Sequence, residues 1–346
     1  MKGTEYGIIK RKVFEPIAKN KRFKRILFRL DLTYIRSLIR KIDPDVIHGH
    51  EVAKWGLPTV TLYDAPNIIT VWGSDVFRFP KKSKRIFRNV KEALNKGDVI
   101  HVTNVNTKKY IMKEFDVEGD KFEIIPWGVD LNIFGIKKEK KVPDNINREI
   151  CINDDDTVII YPKGFRNIEM QNYITLLKAF SKIASDNNKL KLIMLSYGND
   201  LGMKEIQEII KRNKIEDQVY VEKEFLPIDQ MADLYRMSDL SFIIEDTDEM
   251  SQSILESMGC GSIPVLSDIS AYRMNFKEGT NCFYVSQKDE NSFVGVIKNY
   301  LDLDQSERDR IISNNLKLVR EDYNQEIQMP KILDMYKRLN KSSTEV

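Results

Sequence analysis

Cysteine is scarce in this chain, with three in 346 residues: Cys151, Cys260 and Cys282. The set is odd in number, scattered and without a Cys-x-x-Cys pair, so a disulfide framework or a structural zinc site is not expected and a reducing cytoplasm fits. Histidine is as rare, three residues, which excludes a histidine-rich metal centre. Apolar runs are short, of the Val158–Tyr161 kind, far from the roughly 18 residues that cross a bilayer. No apolar segment with a cleavage pattern follows Met1, so export is not expected. A large charge of one sign is missing as well, since 55 basic minus 52 acidic residues leave +3, and this weighs against a dedicated nucleic-acid binder. What remains is 42% hydrophobic residues, enough for a sizeable core, and a length that suggests two domains at roughly 150 residues each.

The small net charge conceals an uneven distribution. Up to Lys41 there are 13 basic residues against three acidic ones, Glu5, Glu15 and Asp31. Within Arg22–Lys41, Phe23, Leu27, Leu30, Tyr34 and Leu38 recur at helical spacing, with Arg22, Arg25, Arg29, Arg36 and Arg40 mostly on other faces. Such a basic amphipathic helix can lie on an anionic membrane or meet an anionic lipid-linked acceptor through the 10–41 region. Equally, it can be a packed helix whose charged side is solvated.

Short β-rich runs alternate with amphipathic stretches along the whole chain, the pattern of an α/β protein with parallel sheets. Strands are predicted at Val46–His48, Asn67–Val71, Asp98–Thr103, Lys121–Ile125, Thr157–Tyr161, Lys191–Ser196, Gln218–Val221, Leu240–Ile244, Ser262–Leu266 and Cys282–Val285. Helices are predicted at Lys84–Lys96, Thr107–Phe115, Asn172–Ser185, Met203–Asn213, Ile228–Met237, Gln252–Met258 and Glu290–Leu301. The charged stretch around 141–156, with Pro143 and three consecutive aspartates, reads as a linker. Two doubly wound, Rossmann-like halves facing a cleft are expected: 1–140, joined by a last helix in 323–346, and 157–322. Ligands should then bind at the carboxyl ends of the strands.

The densest chemistry lies between Glu245 and Leu266. A strand ends in acids, and a Ser-rich turn opens a helix that closes at Gly259 and Gly261. Ser251 is a suitable N-cap, and the N–H groups after it form a positive helix end that suits phosphate. Glu256 lies within this helix and Asp248 eight residues before it. Two acids flanking a phosphate site suit sugar and ribose hydroxyls. A capped surface helix with solvated acids is the alternative on this stretch alone.

The run Asp248, seven residues, Glu256, Ser257-Met258-Gly259-Cys260-Gly261, with Pro264-Val265 following, resembles the signature of retaining glycosyltransferases of family 4, which have the GT-B fold. Five further segments, on either side of this run, occur in the family's order. Lys41-Ile42-Asp43-Pro44-Asp45-Val46-Ile47-His48 resembles a family strand, and Trp72-Gly73-Ser74-Asp75 a segment that often carries His in place of Trp72. Ile125-Pro126-Trp127-Gly128-Val129-Asp130 with Phe134 resembles the close of the first domain, and Ser267-Asp268-Ile269-Ser270 with Glu278–Phe283 come last. The resemblance runs from about Asp43 to Leu339.

It implies a retaining, metal-independent transfer from a nucleotide sugar, with UDP or GDP as the expected carrier and no cofactor, to a glycan or lipid-linked acceptor. Glu256 would hold the ribose and Asp248 the donor-sugar hydroxyls. The backbone at Ser251, Gln252 and Ser253 would cradle the distal phosphate, and Lys163 and Arg166 would neutralise the diphosphate. Gly198 would sit near the base, and Trp72 and Gly73 near the donor sugar. Glu249 is one residue out of register for the acidic pair. No metal-binding Asp-x-Asp in a suitable loop is expected, and His101 is read as structural. One departure stands out: only 43 residues precede Pro44, without a Gly-Gly pair, so the first β-loop-α unit of the family looks missing or altered. An upstream start or a partner chain would then supply it. The alternatives are a catalytically weak nucleotide-sugar-binding subunit or a GT-B epimerase. Cytoplasmic placement, peripheral on the inner membrane face, completes the expectation.

Overall fold

The computed structural model describes residues 21–137, 146, 149–165, 172–197 and 202–342. A basic helix, α1 (Lys21–Ile42), leads into β1 (Ile47–His50), β2 (Asn67–Thr70), β3 (Val99–Val102) and β4 (Phe122–Ile124). These four strands are parallel and lie side by side in chain order. Their crossovers include α2 (Lys84–Lys96) and α3 (Val105–Phe115). Both helices start at side-chain caps: Ser83 accepts from Arg85 N, and Asn104 from Asn106 N and Thr107 N. Val90, Ala93, Leu94, Ile111 and Phe115 seal the helices onto Ile69, Ile100 and Val102, all fully buried.

The second sheet holds β5 (Thr157–Tyr161), β6 (Leu190–Leu195), β7 (Val219–Glu222), β8 (Leu240–Ile243), β9 (Ile263–Ser267) and β10 (Phe283–Val285). All six are parallel, in the order β10-β9-β8-β5-β6-β7. Helices α4 (Tyr173–Ala184), α5 (Met203–Asn213), α6 (Ile228–Met237) and α7 (Gln252–Cys260) connect successive strands, and α8 (Glu290–Asp302) follows the last one. With both faces covered, β5 and β6 carry near-continuous apolar runs and are buried almost throughout. Ile146 and Ile150, within the stretch read as a linker, are buried in this second core.

After α9 (Gln305–Asp322), which begins with a capping box between Asp304 and Glu307, the chain turns back. Val129 N donates to Tyr323 O at 2.8 Å, and Gln325 N to Val129 O at 3.0 Å. A Cβ on Gly128 would lie 2.4 Å from Gln325 Cα, so only glycine fits this crossing. The last helix, α10 (Gln325–Ser342), then buries Ile332 and Met335 against Ile68 and Ile125 of the first sheet.

Candidate active site

Strand order in the second sheet reverses between β5 and β8, which are neighbours. The loops leaving their carboxyl ends therefore part to opposite faces and open a crevice, the place where ligands bind in open α/β sheets. Lys163 emerges after β5, and the segment from Glu245 to Ser251 after β8. Lys163 Nζ lies 3.2 Å from Glu245 Oε1 and donates to Ser251 Oγ at 2.7 Å. One cation is thus fixed at the start of α7.

Ser251 stands at the N-cap position, but its side chain accepts no bond from the helix. The N-cap expectation is corrected on this point: the hydroxyl is turned to Lys163 instead. Among the described residues, no side chain is bonded to the first-turn N–H groups, so this helix end is open to an anion. The Gln252 side chain is engaged elsewhere, donating to Gly128 O at 2.8 Å, which leaves its backbone N–H for the site. Ser253 follows in the same turn, half-buried.

Asp248 Oδ1 accepts from Glu249 N at 2.7 Å and Oδ2 from the Tyr272 hydroxyl at 2.7 Å. Burial raises its pKa, opposed by nearby Lys163 and by the Tyr272 bond. Asp246, Thr247 and Asp248 do form an Asp-x-Asp in sequence. Among the described residues, however, no group of three or more His, Cys, Asp or Glu side chains is arranged to hold a metal ion. Glu256, at the start of the second turn of α7, accepts from the Tyr235 hydroxyl at 3.4 Å, and burial pushes its pKa up to about 6 against the pull of Lys163. It is half-buried and does not itself line the cleft described next.

That cleft, of about 520 Å³, has Lys163, Asp248 and Ser251 on one wall and Trp72 and Trp127 of the first domain on the other. Trp72 is 56% exposed, so it is not a core residue. Gly73 has φ +89°, and a Cβ there would lie 2.7 Å from Glu249 N and 2.9 Å from Asp248 C. Its glycine character lets the Asp248 loop press against the first domain. Arg166 and Gly198 lie outside the described residues.

Sequence reasoning missed the role of Glu249. This residue is 2% exposed and reaches into the first domain, where Oε1 accepts from Thr103 N at 2.6 Å. Its backbone carbonyl accepts from Asn104 Nδ2 at 3.3 Å. Burial, reinforced by the charge of nearby Asp75, pushes its pKa up to about 8. Asp75 is itself fully buried, accepts from Val52 N and Trp72 N, and is raised to about 6 by burial. The one available sequence signal was a second acid directly after Asp248.

Residues 143–318 match the family model described as glycosyl transferases group 1, and residues 3–112 the one described as glycosyl transferase 4-like. The chain belongs to the group 1 glycosyltransferases. Among its relatives, an N-acetyl-alpha-D-glucosaminyl L-malate synthase of Bacillus anthracis is 26% identical over 123 residues, 35% of this chain and 30% of that protein. This chain therefore spans under a third of that relative's length in the match. An uncharacterized glycosyltransferase of Methanocaldococcus jannaschii, MJ1607, is 24% identical over 317 residues, 85% of this chain and 75% of its own. Among solved structures, Anabaena Alr3699/HepE in complex with UDP has the same fold, with a TM-score of 0.72 at 13% identity over 89% of this chain and 82% of that one. This glycosyltransferase thus has the two-domain GT-B architecture that the motifs implied, and it is a transferase.

Proposed function

We propose that this glycosyltransferase moves a sugar from a nucleoside diphosphate donor, with retention of configuration and without a metal ion, to a glycan or lipid-linked acceptor. The observation that carries this reading is the open N-terminus of α7 beside Lys163, with Asp248 on the same wall of the crevice. The donor diphosphate seats on the first-turn N–H groups and Lys163, which meet the charge that grows on the leaving group. Asp248 accepts from donor-sugar hydroxyls, and Glu256 from the ribose. The bond from C1 to the diphosphate oxygen breaks as the acceptor oxygen bonds to C1 on the same face, and the acceptor proton passes to the departing phosphate. Rate comes from positioning in a narrow cleft. That the Anabaena neighbour is described with UDP supports a uridine carrier.

We also propose contact with an anionic bilayer through α1. Leu30, Tyr34, Leu38 and Ile42, four residues apart, are exposed along it, beside exposed Arg36, Arg40 and Lys41. No helix among the described residues is long and apolar enough to cross a membrane.

Calorimetric titration with UDP, GDP and ADP, followed by a donor-hydrolysis assay with and without a chelator, tests the central reading. Micromolar binding of one diphosphate and chelator-resistant turnover are expected. If none of the three binds, the donor site is elsewhere.

A further inference from the structure

The cleft is short of positive charge for a site that takes a diphosphate. Among the described residues lining it, Lys163 is the one cation, against the acids Glu245, Asp248 and Glu249. Lys163 is also committed before any ligand arrives. Its Nζ lies 3.2 Å from Glu245 Oε1 and donates to Ser251 Oγ at 2.7 Å. The two charged side chains are only 21% and 14% exposed, so salt and water screen the pair little. A diphosphate seated on Lys163 and the first turn of α7 therefore sets a second anion on the ammonium group that the Glu245 carboxylate already holds. Like charges this close disfavour ionisation of the weaker acid, which here is the carboxyl.

Glu245 is not placed to swing clear. Its backbone is tied on both sides, with Glu245 N donating to Ser267 Oγ at 2.7 Å and Gln287 Nε2 donating to Glu245 O. The charged and titratable groups around its carboxyl are Asp246 and Asp248 of its own loop, Lys163 after β5, Tyr161 at the end of β5 and Tyr272 in the turn of helix Ser270–Arg273. Both tyrosines are neutral, because burial drives their pKa values well above the ordinary one. Burial also raises the pKa of Glu245, opposed by Lys163 and reinforced by the two aspartates. The other acids are poorer places for an incoming proton. Asp248 accepts from Glu249 N and from the Tyr272 hydroxyl, one donor on each oxygen, and both bonds favour its charged form. Glu249 already holds its proton at neutral pH, since burial pushes its pKa up to about 8. Glu256 faces Tyr235 and does not line the cleft.

We propose that Glu245 is a proton-accepting positioning residue of the donor site: it holds Lys163 beside Ser251 before the donor binds, and it takes up a proton from solvent as a nucleoside diphosphate seats. This rests on the donor reading above. Once neutral, Glu245 no longer competes for the Lys163 charge, which then serves the phosphates alone. The protonated carboxyl is in addition a donor, able to bond a phosphate oxygen that a carboxylate would repel. A proton enters with each diphosphate and leaves with it, so the diphosphate is held more tightly at low pH and let go more readily at high pH.

Calorimetric titration of the full chain with UDP between about pH 6 and pH 8.5 tests this, run at each pH in two buffers of different ionisation heat so that bound protons are counted. The UDP phosphate titrates alike in wild type and Glu245→Gln, so it cancels between them. Wild type is expected to take up more protons per UDP than the variant, by up to about one, and to lose about tenfold more affinity across the range. Glu245→Gln should therefore bind UDP more tightly than wild type at the alkaline end and about equally at the acid end, where a purely structural role for Glu245 would only weaken binding. Infrared difference spectra of the wild type alone, which should gain a protonated-carboxyl band on adding UDP, decide the matter if the variant does not fold. The proposal is overturned if the two affinity curves run parallel, if the proton counts are equal, or if no such band appears. It is overturned too if magnesium chloride abolishes the pH dependence by supplying the countercharge instead. Failure of UDP to bind wild type at any pH would instead sink the donor reading.

Discussion

At the level of single residues, Lys163 and Glu256 divide the work on the donor. Lys163 is bound to Ser251 and paired with Glu245, so its charge is already in place before a diphosphate arrives. Lys163→Ala should lower kcat by roughly 10²-fold, the scale of losing one preorganised electrostatic group, with a smaller change in UDP affinity. Glu256→Ala should do the reverse and weaken UDP about tenfold, roughly 1.4 kcal/mol, as read by calorimetry. Unchanged UDP affinity in Glu256→Ala would show that the acidic pair is set in the wrong register. Glu249 makes a different kind of prediction. Its pKa rises from 4.5 to about 8 on folding, chiefly through burial. Such a group stabilises fully below its unfolded value, and that contribution is lost as pH rises through the folded one. Between pH 5 and 8 it should remove up to about 1.4 kcal/mol per pH unit. Glu249→Gln keeps an acceptor for Thr103 N but cannot ionise, so its melting temperature should fall less between pH 6 and 8.5 than that of wild type. Parallel curves for the two proteins would rule out a buried, protonated Glu249.

Among the elements, the contact between the Gly73 turn and the 248–249 loop joins the domains at the site of chemistry. Gly73→Ala places a methyl against backbone at 2.7 Å in a left-handed conformation, a strain of about 1–3 kcal/mol. The expected result is a clear fall in kcat with a smaller change in UDP affinity, and a larger radius of gyration by small-angle scattering as the loop is pushed off the first domain. Wild-type values for all three would mean that the contact does not position Asp248. Most elements were legible in sequence because local periodicity decides them: Met203–Asn213 and Ile228–Met237 form as read. The helix α9 was missed. Its sequence is strongly polar, and only Ile311, Asn315 and Val319, one face at four-residue spacing, are buried. The turns of helix over Val52–Thr61 were missed too, being shorter than any readable period.

For the molecule as a whole, α1 sets the relation to its surroundings. Its exposed Leu30, Tyr34, Leu38 and Ile42 lie beside basic side chains, so binding to vesicles containing phosphatidylglycerol should exceed binding to neutral phosphatidylcholine vesicles. Salt should weaken that binding, since the attraction is screened within about 10 Å at 0.1 M ionic strength. A double change, Leu38→Ser with Ile42→Ser, should reduce it severalfold in co-sedimentation. Equal binding to both vesicle types, or none, would remove the membrane reading.

The order of strands and helices, the two-part α/β plan and the motif from Asp248 to Pro264 were determined by sequence alone, because hydrophobic period and chain-local spacing carry them. Tertiary structure decided what neighbouring residues could not. It turned the Ser251 hydroxyl from its helix to Lys163, 88 positions away. It also sent Glu249 into the first domain at Thr103, 146 positions away. And it gathered three scattered histidines around one pair of tryptophans. Each of these depends on which strands lie side by side and how closely the two domains approach, quantities to which no local pattern in the chain responds.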